Sequence, residues 1–354
     1  MAGLPDITPL VAAQLKLTRC ALFLCALGFE QRCLAIPTSL AREKFKAERA
    51  AYFQYSTNRS DNAVNRPGLL ESLNSISDSV ASVELNDQDF SSRVRQLLDS
   101  TSKAAREESP LVILDLSAAS NQVVMRCMSA LLEFNFRLVI AYSEASKYHP
   151  TPAEYHRDRE RWKSPDSLSL ERGVSNVAVS EEYPGYGLDQ LPDCIIFLAG
   201  FKKDRAMAAI GKVDPSLLTL PEHKVLWLVG SPHLPEDSWR LNYMRWANDL
   251  GPKDQQYVVS TFDYKDSLRV LEKIHLERAN AFRLTLSPMG SKMQALGAAL
   301  FCYLHPDVRL VFVTPGEYNA PLYSEGCKAV WMIDFGSLPK LRGLLDQVGQ
   351  LRIE

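Results

Sequence analysis

The sequence has 354 residues, of which 46% are hydrophobic and 23% are charged, and its formal net charge is −2. These values are typical of a globular protein with a real core, and the length predicts two units of ordinary domain size. The balance of 40 Lys and Arg residues against 42 Asp and Glu residues argues against a broad nucleic-acid-binding surface, although not against a local basic pocket.

The apolar run at residues 20–27 is too short to span a bilayer and is interpreted as a buried strand, so no membrane association is expected. The seven cysteines mostly lie within such apolar runs, and no C-x-x-C pair occurs. We interpret them as reduced core thiols of a cytoplasmic protein. The six histidines show no metal-like pairing, so neither a metal nor a cofactor is predicted.

Four apolar strands are predicted in the first half, and each ends in polar turn residues. They lie in ALFLCALGFEQR (21–32), AYFQYSTN (51–58), LVILDLSAASNQ (111–122) and FRLVIAYSE (136–144). The periodicity of residues 91–100 predicts a helix before the third of these strands. Residues 151–190 differ in composition, being rich in charge, Pro, Ser and turn signals. They predict an inter-domain connection with a short helix and a hairpin.

The second half repeats this order. Its strands lie in CIIFLAGFKKDR (194–205), KVLWLVGSPH (224–233), AFRLTLSPMGSK (281–292) and VRLVFVTPGE (308–317), with a helix predicted at 266–274. Gly28 and Ser117 are 89 residues apart, and Gly200 and Ser287 are 87 apart. Matching order, spacing and turn residues indicate an internal duplication.

Strands that alternate with helices and are almost continuously apolar predict parallel sheets covered on both faces. The fold class is therefore α/β, with two tandem Rossmann-like domains at 1–150 and 191–354. The strand ends are predicted near residues 27, 54, 115, 142, 199, 229, 286 and 314.

Candidate binding residues lie where the third apolar strand of each half leads into a helix. Ligands of open parallel sheets bind beyond the carboxyl ends of the strands, and a helix N-terminus favours phosphate or carboxylate. The residues concerned are Ser117, Ser120, Asn121 and Gln122 in the first half, and Ser287, Gly290, Ser291 and Lys292 in the second. In this comparison Gln122 is the position that corresponds to Lys292. Helix capping is the structural alternative for the hydroxyl and amide residues.

The second turn resembles the Thr-Gly-Gly-Thr-Lys turn of CARF domains, with one Gly where that motif has two. The matching positions are Ser287, Gly290, Ser291 and Lys292. CARF domains are Rossmann-like sensors of cyclic oligonucleotides in prokaryotic antiviral defence, and they usually act in pairs. The resemblance implies a nucleotide ligand, and the duplication would supply the pair within one chain.

Arg32, Arg205 and Glu317 are further candidates, because each follows or ends an apolar strand. Arg binds phosphate or ribose in a bidentate manner, and a carboxylate can accept from a ribose hydroxyl. An ion pair that fixes the turn explains the two Arg residues equally well. The catalytic residues are unknown, and no Walker A, G-x-S-x-G or H-E-x-x-H motif is present.

Three functions are consistent with these features. The favoured hypothesis is a sensor or regulatory module that binds a nucleotide or another anionic small molecule and controls a separate effector protein. The second is an enzyme acting on a nucleotide or nucleic-acid phosphate through Asp115, Glu144 or Glu317 with Lys292. The third is a scaffold subunit that binds no ligand, since fold alone does not establish function.

Overall fold

The computed structural model describes residues 3–10, 18–85, 89–161, 170–186, 190–219 and 223–350. The chain divides into two compact units. The first unit comprises Met1–His149 and Tyr323–Glu354, and the second comprises Pro150–Leu322.

The strands, in chain order, are β1 (Thr8–Pro9), β2 (Arg19–Ala26), β3 (Lys46–Tyr55), β4 (Val80–Leu85), β5 (Leu111–Asp115), β6 (Arg137–Glu144), β7 (Lys147–Tyr148), β8 (Glu171–Val179), β9 (Asp193–Leu198), β10 (Val225–Ser231), β11 (Gln255–Ser260), β12 (Arg283–Pro288), β13 (Arg309–Tyr318), β14 (Ser324–Glu325) and β15 (Ala329–Ser337). The helices are α1 (Ala35–Arg42), α2 (Arg59–Ile76), α3 (Phe90–Ala104), α4 (Asn121–Leu131), α5 (Pro152–Arg161), α6 (Lys203–Val213), α7 (Trp239–Ala247), α8 (Tyr264–Arg278), α9 (Lys292–Leu304) and α10 (Leu338–Gln350). Within the described ranges, none of these helices combines the length and the apolar character that crossing a bilayer requires.

Each unit is built on one mainly parallel sheet. The first has seven strands in the order β1-β15-β6-β5-β2-β3-β4, and the second has six in the order β11-β10-β9-β12-β13-β8. In both sheets the five parallel strands follow the spatial order third, second, first, fourth, fifth. An antiparallel strand flanks the fifth parallel strand in each, β15 beside β6 and β8 beside β13. Both units therefore have a Rossmann-like α/β layout.

The central strands are buried along their length because their apolar residues run consecutively. All residues of β5 and β9 are buried, as is β2 after its first residue. Phe23 anchors the core of the first unit and Phe197 that of the second, and both are 0% exposed. Burying one such side chain stabilises the folded state by about 1.5–3 kcal/mol. Continuous apolar strands of this kind form parallel sheets covered on both faces.

Seven of the eight predicted strand ends lie within two residues of the observed ends. The exception is β13, which continues past residue 314 through a register shift between Thr314 and Pro315 and ends at Tyr318. Its continued pairing with β8 explains the extra length.

The division into units differs from the predicted boundaries at 1–150, 151–190 and 191–354. Strand β15 pairs antiparallel with β6, so the last part of the chain returns to the first unit. The predicted connection does contain a short helix, α5. Its described strand, β8, pairs with β13 at the edge of the second sheet instead of forming a local hairpin.

Within each unit, an asparagine side chain makes an equivalent contact, which supports duplication. The Nδ2 group of Asn65 in α2 donates a hydrogen bond to the Gly28 carbonyl at 2.8 Å. The Nδ2 group of Asn248, immediately after α7, donates to the Gly200 carbonyl at 2.7 Å. In each unit an Asn thus ties the helix after the second parallel strand to the turn after the first. Two similar sheets with the same strand order are consistent with tandem duplication.

Candidate functional site

In each sheet the second and third parallel strands lie on one side of the first, and the fourth and fifth lie on the other side. The candidate site lies at this reversal point, between the first and the fourth parallel strand. This point falls between β2 and β5 in the first unit and between β9 and β12 in the second. Doubly wound sheets bind ligands beyond the carboxyl ends of these two strands. The turns there are in close contact, because a Cβ added to Gly28 would lie 3.0 Å from that of Ala118. A Cβ added to Gly200 would lie 2.9 Å from the Met289 carbonyl oxygen.

In the second unit this turn forms the capped N-terminus of α9. The Ser291 hydroxyl accepts from the Gln294 backbone N–H at 3.1 Å, and the Gln294 side chain accepts from the Ser291 N–H at 2.8 Å. The Ser291 hydroxyl also donates to the Thr261 carbonyl at 2.6 Å. A Cβ on Gly290 would overlap the Gln294 side-chain oxygen, so a larger residue there would displace Gln294 from its contact with the Ser291 N–H. The predicted residues Gly290 and Ser291 therefore both have local structural roles.

The other two predicted residues of this turn differ from each other in exposure. Lys292 is the first residue of α9 and is partly exposed, so its charge lies at the helix terminus that favours anions. Ser287 lies in β12 and is 0% exposed. Among the described residues, no hydrogen-bond partner is found for the Ser287 hydroxyl or for the Gln294 amide nitrogen. Two buried polar groups thus lie unpaired near the start of α9.

In the first unit the two serines of the equivalent turn both have hydrogen-bond partners. Ser120 caps α4, its hydroxyl accepting from the Val123 N–H at 3.2 Å. The Ser117 hydroxyl donates to Asp115 at 2.5 Å and accepts from the Ser143 N–H at 2.9 Å. The hydroxyl groups of Ser117 and Ser120 are therefore both hydrogen-bonded within the protein.

The structure changes which residues of the two turns correspond. The sheet registers align Leu114 with Leu286, because they pair with equivalent residues of β2 and β9. From there to the helix cap the first turn is one residue longer, so Asn121 is the counterpart of Lys292. The sequence interpretation paired Gln122 with Lys292. Both Asn121 and Gln122 are partly exposed at the start of α4.

Arg32 is buried in an ion pair. Its guanidinium donates to both carboxylate oxygens of Glu30 at 3.0 Å, and the two side chains are 4% and 7% exposed. It also donates to the Ser143 carbonyl at 3.3 Å and lies 5.7 Å from the ring centres of Tyr142 and Tyr148. These contacts join the turn after β2 to the end of β6.

Arg205 is used similarly in the second unit. It donates to the Val313 carbonyl of β13 at 2.8 Å and pairs with Glu171 at 3.2 Å. Its side chain is 13% exposed and that of Glu171 is 12% exposed. In both units an Arg therefore ties the segment that follows the first parallel strand to the fifth parallel strand, which favours the structural alternative for the two Arg residues.

The three carboxylates considered for catalysis lie in unlike environments. Glu144 is buried, and one of its oxygens accepts from the Trp331 indole N–H at 3.3 Å. Glu317 is exposed in β13, where it lies opposite Arg172 of β8. Asp115 is 2% exposed. Burial raises the pKa of its carboxyl to about 7, against the lowering effect of two hydrogen bonds from Ser117.

This raised pKa predicts a pH-dependent stability. In the unfolded chain the carboxyl has its ordinary pKa of 3.8, so between about pH 4 and pH 7 unfolding releases its proton. The free energy of unfolding should therefore fall as pH rises, by at most about 1.4 kcal/mol per pH unit, and level off above pH 7. Asp115→Asn should remove this component. Urea unfolding of both proteins across this range measures it, and parallel curves would contradict the assignment.

No protein-family model matches the sequence, and no curated protein matches it. Among solved structures, the chain is similar to a type III CRISPR defence DNA nuclease activated by cyclic oligoadenylate. That match has 11% identity and a TM-score of 0.47, and covers 84% of this chain and 67% of the other. It is also similar to the cytoplasmic domain of a prokaryotic cation chloride cotransporter, at 10% identity and a TM-score of 0.24, covering 85% and 98%. At these identities and TM-scores, neither similarity establishes a ligand or an activity for this chain.

Proposed function

We propose that this protein is a nucleotide-binding regulatory module whose second unit holds a phosphate group at the N-terminus of α9. The observation that carries the proposal is the position of Lys292. It is the first residue of a capped helix of 13 residues, and that helix begins at the reversal point of the second sheet. A full positive charge, a helix terminus and the reversal point together favour an anionic ligand.

The ligand class follows from the turn that carries Lys292. The turn resembles that of CARF domains at Ser287, Gly290, Ser291 and Lys292, so a cyclic oligonucleotide is the first candidate. In this proposal the protein acts as a sensor in prokaryotic antiviral defence and transmits ligand binding to a separately encoded effector.

Binding is favoured over catalysis because two candidate catalytic carboxylates are already engaged. Asp115 accepts from Ser117, and Glu144 accepts from Trp331, both in buried surroundings. A general acid or base needs hydrogen-bond access to the substrate. In the second unit Glu317 is exposed, so an enzymatic alternative would use Glu317 with Lys292.

The test is equilibrium binding of mono-, di- and cyclic nucleotides to the purified chain, with chromatography of the recovered ligand. Tight binding without a product supports the proposal. Conversion of the ligand would identify an enzyme. If no member of the panel binds, the result would favour a scaffold subunit that binds no ligand.

Lys292→Ala should weaken binding of the best nucleotide by about 10- to 150-fold, because losing a charge-assisted phosphate contact costs about 1.5–3 kcal/mol. Lys292→Arg should retain most of the affinity. Asn121→Ala is the matched control, since Asn121 occupies the equivalent first position of α4. It should have less than about a fivefold effect. Equal small losses from Lys292→Ala and Asn121→Ala would mean that the ligand binds elsewhere.

A further inference from the structure

Two histidines and an aspartate come together in the second unit, at the end of α9 opposite to Lys292. His275 lies in the last turn of α8, His305 follows the last residue of α9, and Asp307 precedes β13. The imidazole rings are stacked with their centres 3.7 Å apart and their planes 30° apart. The His275 Nε2 atom lies 2.8 Å from an Asp307 carboxylate oxygen. Nitrogen and oxygen donors thus converge from three points of the chain.

A fourth residue orients one of these rings. Glu272 lies three residues before His275 in α8, and its side chain is 2% exposed. One of its oxygens is 2.9 Å from the His305 Nε2 atom. A histidine that gives one ring N–H to a carboxylate presents its other nitrogen to a metal, and such pairs raise the basicity of the ligand. The Glu272 contact therefore leaves His305 Nδ1 as the donor atom.

We propose that His275, His305 and Asp307 bind one divalent transition-metal ion, with Zn²⁺ as the best match. One donor atom from each residue lies within 4.8 Å of the others. Donors around a tetrahedral zinc ion, at about 2.0–2.2 Å from the metal, are roughly 3.4 Å apart. The donor atoms would therefore have to approach one another by at most about 1.4 Å to close the site. In the hydrogen bond between His275 and Asp307, a proton lies between the ring nitrogen and the carboxylate oxygen. A bound metal ion would replace this proton and contact both atoms.

The donor set determines the class of metal. Two imidazoles and one carboxylate suit Zn²⁺ and its transition-metal neighbours, whereas Mg²⁺ and Ca²⁺ prefer oxygen donors alone. Three protein ligands leave a fourth position for water. The side chains of His275, His305 and Asp307 are 19%, 12% and 30% exposed, so an ion could enter from solvent.

This site is separate from the proposed nucleotide site. Helix α9 has 13 residues, so its two ends are about 20 Å apart. An ion held by His275, His305 and Asp307 would join the end of α8 to the end of α9 and to the start of β13. It would stabilise the second unit in proportion to the logarithm of the metal concentration, with no requirement for a nucleotide.

The experiment is titration of the chelator-treated full chain with Zn²⁺ alone, by calorimetry. Cys327 is an exposed thiol that could also bind zinc, whereas the other six cysteines are buried, so Cys327→Ser is the background for all measurements. We expect one ion per chain and a rise in the thermal unfolding midpoint. His275→Gln and Asp307→Asn should each weaken binding by at least about tenfold. His156→Gln is the control, since His156 is exposed in α5, and it should bind as the parent protein does.

A readout that leaves the three proposed ligands unchanged guards against variants that do not fold. The sequence has only six histidines, so ring ¹⁵N spectra of the parent protein can follow each of them during titration. Two ring systems should shift at one equivalent of Zn²⁺, and Co²⁺ should give the visible absorption of a tetrahedral site. If the histidine spectra do not change, or if binding is the same in the variants, the cluster is a hydrogen-bond network and the proposal is overturned.

Discussion

Gly297→Ala should destabilise the second unit by about 3 kcal/mol or more, because Gly297 is where α9 packs against the backbone of α8. A Cβ at this position would overlap the Tyr264 carbonyl oxygen and lie 3.2 Å from the Leu268 backbone nitrogen. Neither atom belongs to a movable side chain, so the two helices must separate. Inserting one methyl group into a close-packed interior costs about 1–3 kcal/mol, and more where backbone has to move. Trp227, Trp239 and Trp246 lie in this unit and report its unfolding by fluorescence.

Gly211→Ala provides a matched control. Gly211 lies in α6 and is exposed, and nothing lies within 4 Å of an added Cβ. The same substitution should therefore stabilise the unit by about 0.5–1 kcal/mol, through higher helix propensity and a less flexible unfolded chain. Because α9 carries Lys292 at one end and His305 at the other, Gly297→Ala should also weaken both proposed sites. Equal stability of the two variants would show that α8 and α9 are not in close contact.

The interior of each sheet could be predicted from sequence, whereas its edges could not. Strands such as β2 and β9 are long apolar runs, and burial on both faces produces that pattern directly. The edge strands β4 (VASVEL) and β11 (QQYVVS) were not predicted. Each has only one buried residue, so the apolar signal is weak. The pairing of β15 with β6 also escaped prediction, because it joins residues nearly 200 positions apart.

For the candidate residues too, the sequence predicts local structure but not the contacts that depend on tertiary packing. The sequence identified the turns before α4 and α9 as helix starts, and Ser120 and Ser291 do cap those helices. It did not show that the first turn is one residue longer, which changes the counterpart of Lys292. The proximity of His275 to His305 depends on the packing of α8 against α9, and the only local signal was a His and an Asp two residues apart.

Arg32→Met should destabilise the first unit by about 3–5 kcal/mol. The substitution leaves the Glu30 carboxylate, 7% exposed, without its bidentate partner. Removing one member of a buried ion pair is strongly destabilising because the remaining charge stays out of water. It also removes the hydrogen bond to the Ser143 carbonyl at the end of β6. Urea unfolding followed by the fluorescence of Trp331, which lies in this unit, measures the loss.

The double variant Glu30→Gln with Arg32→Met should recover part of this loss, because it removes the uncompensated charge. The exposed pair of Arg19 and Glu107 is the control, with side chains 66% and 57% exposed. Arg19→Met should cost less than about 1 kcal/mol, since solvent screens surface pairs. These measurements separate the two interpretations of Arg32. If Arg32→Met leaves stability unchanged but weakens nucleotide binding, Arg32 contacts the ligand. If Arg32→Met causes a large loss of stability that Glu30→Gln partly reverses, the role of Arg32 is structural, joining the turn after β2 to the end of β6.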